Sequence, residues 1–231
     1  MNICLLTGTK TYYAQVLGFL RSHGHQVEVT TEKVSSEYLA DFDLGISWFY
    51  RHILSAEHIA TPQYGIIGCH PSFLPWGRGA MPNVWTIIDG IPCGVTIYWV
   101  DEGIDTGPII AQKTTDIYLT DTGETLYDRL CNDLYNLLVD SWYYVEFEAT
   151  TGRHYSSEPQ SKLDKNGSEF LSNNRKDVDG IDDLEKFFDE RDVKDMVNIL
   201  RARTFTGHES AYIRDADGKK VYVRVVLERE K

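Results

Sequence analysis

The sequence predicts an α/β fold, in which a doubly wound, mostly parallel sheet is followed by a small C-terminal helix and β-hairpin appendage. The first two thirds of the 231 residues alternate short apolar runs, typical of buried strands, with helical patterns. That order is typical of a parallel sheet with helices on both faces. Near the C-terminus, Asp217-Gly218 separates two alternating runs, 211–213 and 221–227, which predicts the hairpin.

Six strands are predicted in the first part of the chain. They are Asn2–Leu6, Gln26–Thr30, Leu44–Trp48, Gly65–Cys69, Gly94–Val100 and Pro108–Ile117. Apolar residues at helical spacing predict helices over 13–20 and 83–89, and a long helix that begins at Asp121–Thr125 with an acidic cap. Because such sheets bind ligands beyond the carboxyl ends of their strands, the loop after the fourth strand is the expected place of a site.

Composition divides the chain into three parts. Residues 1–150 carry the strand and helix patterns of the core. Residues 151–182 are rich in Ser, Asn, Asp and Lys and have little periodicity, which predicts a linker or an extended surface segment. Residues 183–231 contain the apolar pattern of one or two short helices and then the hairpin.

Composition also excludes some classes of partner. The net charge of −12 argues against a nucleic-acid-binding protein, which normally presents a basic face. No apolar run approaches the roughly 20 residues that cross a bilayer, and the first residues lack the pattern of a signal peptide. The cysteines (Cys4, Cys69, Cys93 and Cys131) and the histidines form no ligand pattern, so no metal site is predicted. We expect reduced, buried thiols in a cytoplasmic protein.

The first chemical motif is the segment GCHPSFLPWGRG at 68–79. Its histidine, His70, directly follows the fourth predicted strand, in a loop that two prolines and several glycines hold in a fixed shape. Packing alone explains this arrangement poorly. A single loop histidine is nevertheless more often structural than catalytic.

The second motif is DEGIDTGP at 101–108, between the fifth and sixth predicted strands. It forms a turn that can carry the carboxylates of Asp101 and Asp105 into a cleft. In isolation, a hairpin turn with solvated acidic side chains is an equally good interpretation.

Taken together, four motifs in a fixed order favour the catalytic interpretation of both segments. They are HPSFLP at 70–75, RG at 78–79, GVTI at 94–97 and DEGIDTGPII at 101–110. Their order and spacing resemble the 10-formyltetrahydrofolate-dependent formyltransferase family. The resemblance implies a Rossmann-like core of the formyltransferase type. It also implies that the protein is an enzyme that moves a formyl group from 10-formyltetrahydrofolate, a folate co-substrate, to an amine.

By this resemblance, His70 and Asp105 are two members of the family's Asn/His/Asp catalytic trio. Formyl transfer requires groups that stabilise a developing oxyanion and move protons. The family's asparagine lies two residues before the histidine, where this chain has Gly68. A backbone N–H or another side chain, with Asn83 as a candidate, replaces it, or the enzyme is slower, or the protein binds folate and nucleotide sugar without turnover. A working enzyme is the favoured interpretation.

The segment 47–54, after the third strand, resembles the wall of the family's folate pocket, and the turn at 101–105 would close its other side. The implied folate contacts are Tyr50, Arg51, Ile53, Asp101, Gly103 and Asp105. For Trp48 and Phe49, packing in the core is an equally good interpretation.

The C-terminal segments 199–205, 211–213 and 218–223 resemble those of sugar N-formyltransferases. The predicted acceptor is therefore the 4-amino group of a dTDP- or GDP-linked dideoxy sugar, in O-antigen biosynthesis. Another small amine, such as glycinamide ribonucleotide, is the alternative, although residues 6–10 match that enzyme's phosphate loop poorly. The family resemblance also implies a homodimer.

The predicted contacts of the nucleotide-linked amino sugar come from both ends of the chain. They are Arg78, Asn83, Trp85, Arg201 and Tyr212. An arginine pairs well with a phosphate, and an aromatic ring stacks on a base or a sugar. Taken alone, Arg201 is more typical of a solvated helix residue, and a core residue is the alternative interpretation of Trp85.

Overall fold

The computed structural model describes residues 1–8, 12–152, 159–160, 173, 180–184 and 193–229. The elements in these ranges are β1 (Asn2–Thr7), α1 (Tyr13–Ser22), β2 (Gln26–Thr30), α2 (Ser36–Leu39), β3 (Leu44–Trp48), α3 (Ala56–Ala60), β4 (Ile66–His70), α4 (Pro82–Asp89), β5 (Gly94–Trp99), β6 (Ile109–Thr114), α5 (Gly123–Thr151), α6 (Val193–Ala202), β7 (Tyr212–Arg214) and β8 (Lys220–Tyr222). The order of the strands and of the longer helices is the predicted one.

The main sheet has the strand order β2-β1-β3-β4-β5-β6. The first four of these strands are parallel, whereas β5 pairs antiparallel with β4, and β6 pairs antiparallel with β5. The predicted α/β class with a mostly parallel sheet is therefore confirmed, and so is the small C-terminal appendage, in which β7 and β8 form an antiparallel hairpin. In the pairing of β4 with β5, Gly68 lies opposite Tyr98, and His70 lies opposite Thr96.

Most predicted boundaries agree with the structure to within one or two residues, and the differences have physical causes. His70 is the last residue of β4 rather than the first residue of the loop. The strand β6 ends at Thr114, where pairing stops because Thr114 is opposite Gly94, the first residue of β5. The helices α2 and α3 were not predicted. They have four and five residues, which is too short to show a helical period.

Both faces of the sheet are covered. Alternate side chains of a strand point to opposite faces, so Ile3 and Leu5 enter one buried cluster, while Cys4 and Leu6 enter another. The first and larger cluster packs against the 29-residue helix α5, and the second is completed by residues of the α2 region such as Leu39. Two covered faces are typical of a doubly wound sheet.

The C-terminal appendage is attached to the core through polar as well as apolar contacts. Ile199 of α6 is fully buried in a third cluster with Leu184 and Ala211. The guanidinium of Arg203 forms a buried, bidentate ion pair with Asp182, whose Oδ2 lies 2.7 Å from Nη2. The boundary predicted at residue 150 falls at the end of α5, but most of 151–182, and Phe187 and Phe188 after it, lie outside the described residues. The division into three parts stays a prediction.

In the ranges given above, no helix combines the length and the apolar character that crossing a membrane requires. The same residues contain no group of three or more His, Cys, Asp or Glu side chains that could hold a metal ion. A cytoplasmic location stays a prediction.

All four cysteines are buried as free thiols. Burial raises the pKa of Cys4, Cys93 and Cys131 to about 12, and it also raises the pKa of Cys69. Because the thiolate is the reactive form, we expect a thiol reagent at about pH 8 to label the native protein at least about a hundredfold more slowly than a free thiol. In denaturant, all four thiols should react at once. Rapid labelling of any native cysteine would contradict this assignment.

Candidate active site

His70 lies at the carboxyl end of the parallel strands and is 9% exposed. Its Nε2 lies 2.9 Å from the carbonyl oxygen of Gly77. A carbonyl oxygen only accepts, so Nε2 carries the proton and donates, and Nδ1 of the neutral ring carries the lone pair. Gly77 has a φ of 69°, which is favourable for glycine and allows the loop to turn back onto the ring. The loop 71–79 therefore fixes both the orientation and the tautomer of His70.

Asp105 lies beside His70, as the resemblance implied. The turn after β5 carries it back over β4, so that Asp105 Oδ2 is 3.6 Å from His70 Nε2. The same oxygen accepts a hydrogen bond of 2.7 Å from the backbone N–H of Gly79, and Oδ1 accepts one of 2.6 Å from the hydroxyl of Tyr98. Asp105 has a φ of 54°, a left-handed conformation that aspartate tolerates better than most residues. Both carboxylate oxygens are thus fixed by donors from different strands and loops.

Arg78 and Gln160 tie the turn at 101–107 to the loop after β4. The buried guanidinium of Arg78 donates to the carbonyl oxygen of Asp105 at 3.1 Å and to Oε1 of Gln160 at 2.7 Å. Gln160 in turn donates to the carbonyl oxygens of Asp105 and Gly107. Burial lowers the pKa of Arg78, and the charges of Asp105 and Asp101 oppose that shift. Sequence reasoning missed Gln160, because it lies in a polar stretch without periodicity.

A second residue of the same polar segment, Asn173, also contacts the loop after β4. Asn173 pairs with Gly79, and it exchanges backbone hydrogen bonds with Arg78 and Ala80, of 3.0 and 2.9 Å. At residues 160 and 173, therefore, the segment predicted as a linker lies against the loop that carries Arg78.

Gly68 leaves no space for a larger residue, because the ring of Tyr98 fills it. A Cβ atom at position 68 would overlap this ring and would lie 2.6 Å from the hydroxyl oxygen. Tyr98 is 7% exposed, and burial together with the charge of Asp105 raises the pKa of its hydroxyl well above the ordinary value. Tyr98 is the second residue that sequence reasoning missed. The glycine at position 68 was the available signal, since a missing side chain at a site implies that something else occupies the space.

Two of the three predicted folate contacts after β3 are exposed, and the third, Tyr50, is half-buried. Ile53 is 85% exposed and Arg51 is exposed, with its aliphatic stem packed over Gly8 at the end of β1. The Tyr50 hydroxyl donates to the carbonyl oxygen of Glu32 at 2.7 Å and accepts from the N–H of Val34. Tyr50 thus fixes the position of the neighbouring loop.

The aromatic residues Trp48 and Phe49, at the end of β3, differ in how deeply they are buried. Trp48 is fully buried, which confirms the core interpretation for that residue. Phe49 is half-buried and has a φ of 57°. Its ring contacts those of Trp48, Tyr12 and Tyr127.

The predicted folate contacts in the turn after β5 are mainly exposed. Asp101 Oδ1 accepts hydrogen bonds from the N–H of Gly103 at 3.1 Å and from the hydroxyl of Thr106 at 2.6 Å. Gly103 has no room for a Cβ atom, because that atom would overlap the side chain of Thr106. These contacts close the turn and present Ile104, which is 54% exposed, next to Asp105.

Four of the five predicted sugar contacts lie on α4, on α6 or in the C-terminal hairpin. Asn83 is buried, and its amide donates to the carbonyl oxygen of Gly123 at 2.9 Å. The Arg201 guanidinium is buried and donates to the carbonyl oxygen of Tyr118 at 3.0 Å, and less closely to those of Leu119 and Asp121. Tyr212 is buried, with its hydroxyl 3.1 Å from Asp183, and Trp85 is half-buried against the main core.

The five predicted sugar contacts differ in the partners that their polar groups bind. The structure brings Arg78 together with Asp105, whereas the polar groups of Asn83, Arg201 and Tyr212 are engaged inside the fold. Asn83 does not replace the missing asparagine, because its amide is held at the start of α5 and the space at Gly68 is occupied by Tyr98. A direct sugar contact by the others stays a prediction.

Comparison with known proteins identifies the family. The formyl transferase family matches residues 18–141, just over half of the chain, and the N-formyltransferase dimerization C-terminal domain matches residues 186–229. The dTDP-4-amino-4,6-dideoxyglucose formyltransferase of Mycobacterium tuberculosis is 34% identical over 196 residues, which cover 85% of this chain and 78% of that protein. The chain therefore belongs to the formyltransferase family and is a one-carbon transferase. Within that family, it belongs to the sugar N-formyltransferase branch.

Solved structures agree with this assignment. A Mycobacterium tuberculosis protein thought to be a sugar N-formyltransferase has a TM-score of 0.83 and 29% identity, covering 100% of this chain and 99% of that one. The formyltransferase PseJ from Anoxybacillus kamchatkensis has a TM-score of 0.69 and 29% identity, covering 87% of this chain and 100% of that one. Its structure contains UDP-4,6-dideoxy-4-formamido-L-AltNAc and tetrahydrofolate. The family's formyl donor is 10-formyltetrahydrofolate.

We predict that Arg201→Ala lowers the stability of the protein rather than its affinity for the sugar nucleotide. The substitution removes the buried guanidinium that donates to the carbonyl oxygens of Tyr118, Leu119 and Asp121, at a cost of about 1–3 kcal/mol. We expect a lower melting temperature and an unchanged KM for the acceptor. Lys194→Ala, at an exposed position of the same helix, is the control. A raised KM at an unchanged melting temperature would instead support the predicted substrate contact.

Proposed function

We propose that this enzyme transfers the formyl group of 10-formyltetrahydrofolate to the 4-amino group of a dTDP-linked 4-amino-4,6-dideoxy sugar. The observation that carries the proposal is the pairing of His70 with a doubly fixed Asp105 carboxylate at the end of β4. The M. tuberculosis relative acts on dTDP-4-amino-4,6-dideoxyglucose, which favours the dTDP sugar over the GDP sugar. Supply of such a sugar to O-antigen-type glycans, in the cytoplasm, belongs to the same proposal.

The pair can perform the proton transfers that the reaction needs. A neutral amine that attacks the formyl carbon gains positive charge and must lose a proton, while the folate nitrogen that leaves must gain one. In its neutral form, the His70 ring carries a lone pair on Nδ1, which can accept the proton of the amine and return a proton to the folate nitrogen as that nitrogen leaves. The imidazolium that forms is then stabilised by the Asp105 carboxylate, 3.6 Å away. His70 is thus the proposed proton carrier, and Asp105 the group that stabilises its charged form.

Exposed apolar side chains in both predicted folate segments suit the donor. Ile104, directly before Asp105, is 54% exposed, and Ile53, after β3, is 85% exposed. A flat pterin ring would cover them and remove apolar area from water. Tyr50 and Arg51 on one segment, and Asp101 and Gly103 on the other, complete the proposed folate contacts.

We also propose that the protein is a homodimer. Residues 186–229 match a family described as a dimerization domain. The hairpin within this range exposes a series of apolar side chains: Ile213 at 39%, Val221 at 46%, Tyr222 at 39% and Val226 at 86%. A second copy of the same hairpin would bury them, as symmetric dimers commonly do.

To test the activity, the protein is incubated with 10-formyltetrahydrofolate and dTDP-4-amino-4,6-dideoxyglucose, and the sugar nucleotide is analysed by mass spectrometry. We expect the mass gain of one formyl group, with release of tetrahydrofolate. His70→Gln and Asp105→Asn should each lower kcat by at least about a hundredfold, because general acid–base catalysis contributes that much or more. Their melting temperatures serve as the control for folding.

Parallel reactions with GDP- and UDP-linked 4-amino sugars and with glycinamide ribonucleotide define the acceptor. A faster reaction with one of them would replace the dTDP sugar in the proposal. No transfer to any acceptor, with tight binding of both folate and sugar nucleotide, would support a binding protein without turnover instead.

For the dimer, we predict that Val221→Glu combined with Val226→Glu produces monomers, because burying two carboxylates in an apolar interface is unfavourable. Light scattering after size-exclusion chromatography should give twice the chain mass for the native protein and the single chain mass for the variant. Leu119→Glu, at a 78% exposed position outside 186–229, should remain dimeric. A monomeric native protein would refute the proposal.

A further inference from the structure

Gly68 and Tyr98 form a cross-strand pair directly beneath the proposed catalytic residues. They are opposite each other in the pairing of β4 with β5, and His70 lies two residues beyond Gly68 on the same face of β4. Only a residue without a side chain at position 68 lets the Tyr98 ring lie across β4, because a Cβ atom there would overlap the ring. The glycine and the tyrosine are therefore two halves of one packing arrangement.

The Tyr98 hydroxyl lies about as far from a Cβ position on residue 68 as the amide nitrogen of an asparagine there would lie. It lies 2.6 Å from the position of a Cβ atom on residue 68. In asparagine, Cβ and the amide nitrogen are separated by two bonds of about 1.5 and 1.3 Å, and hence by about 2.4 Å. The hydroxyl is thus a polar group at nearly the same distance from β4 as that amide would be, but it belongs to a residue of β5.

The hydroxyl has one defined hydrogen bond in this place. It donates to Asp105 Oδ1 at 2.6 Å, while Asp105 Oδ2 receives the N–H of Gly79 and faces His70. Tyr98 is almost fully buried next to this carboxylate, which keeps the hydroxyl protonated. A neutral donor to an ionised acceptor is among the stronger hydrogen bonds of proteins and has a fixed direction.

We propose that Tyr98 is a positioning residue, whose hydroxyl holds the Asp105 carboxylate against His70, and that Gly68 admits it in place of the family's asparagine. Tyr98 acts through Asp105. This inference rests on the proposed formyl transfer, because its main readout is the rate of that reaction. A second readout, thermal stability, is independent of the activity.

The first test is Tyr98→Phe, which removes one oxygen atom and keeps the ring that fills the space at Gly68. We expect kcat to fall at least about tenfold with KM values nearly unchanged, and the melting temperature to fall by several degrees, because a hydrogen bond to a buried carboxylate is lost. A role in packing alone would leave kcat near the native value, because phenylalanine keeps the ring that fills the space at Gly68. Tyr143→Phe, at a 71% exposed tyrosine, is the matched control.

The second test exchanges the pair. Gly68→Asn alone should lower the melting temperature by several degrees and reduce kcat, because the new side chain overlaps the Tyr98 ring. Gly68→Asn combined with Tyr98→Val should recover both, because valine frees the space and the asparagine supplies a donor.

The outcomes separate the inference from the proposed function. Wild-type kcat in Tyr98→Phe would overturn the inference, and so would a Gly68→Asn variant as stable as the native protein. If the native protein transfers no formyl group, the proposed function fails. The stability comparison of the single and double variants then still decides whether Tyr98 excludes a side chain at position 68.

Discussion

The Asp105 carboxylate accepts one hydrogen bond on each oxygen, from the Tyr98 hydroxyl and from the Gly79 N–H, and these two bonds position the rest of the site. The donors belong to different parts of the chain, one to β5 and the other to the loop after β4. The carboxylate therefore joins β5 to the loop after β4, and its Oδ2 also faces His70 Nε2 at 3.6 Å. A turn of mainly exposed residues would not hold a charge in one position without such partners.

The long helix α5 gives this arrangement its second support. Its first residue, Gly123, lies so close to the backbone of Ala202 that a side chain would not fit, and its carbonyl oxygen accepts the Asn83 amide. The start of α5 thus meets both α4, which follows the loop of His70, and the end of α6 in the appendage. Arg201 strengthens the same junction through the carbonyl oxygens of 118–121. The appendage is therefore joined to the part of the core that carries the site loop.

The sequence predicted the strands, the long helices, the hairpin and the pairing of His70 with Asp105, because each follows from local patterns or from ordered motifs. Positions that depend on a distant partner were harder to predict. Tyr98 lies in a strand whose residues are all buried, so nothing local distinguishes it from a core residue. Arg201 has the spacing of a surface helix residue, and only the fold shows that carbonyl oxygens of the segment before α5 lie within its reach. Gln160 was missed for the same reason.

The overlap between position 68 and Tyr98 has a consequence for how this site can change in evolution. An asparagine that arises beside the tyrosine collides with its ring, and a smaller residue that arises in place of the tyrosine leaves a void beside glycine and a carboxylate without its donor. Either step alone passes through a poorer enzyme. The two positions are therefore expected to vary together among descendants of this protein, and the glycine–tyrosine form, once established, is separated from the asparagine form by a fitness barrier.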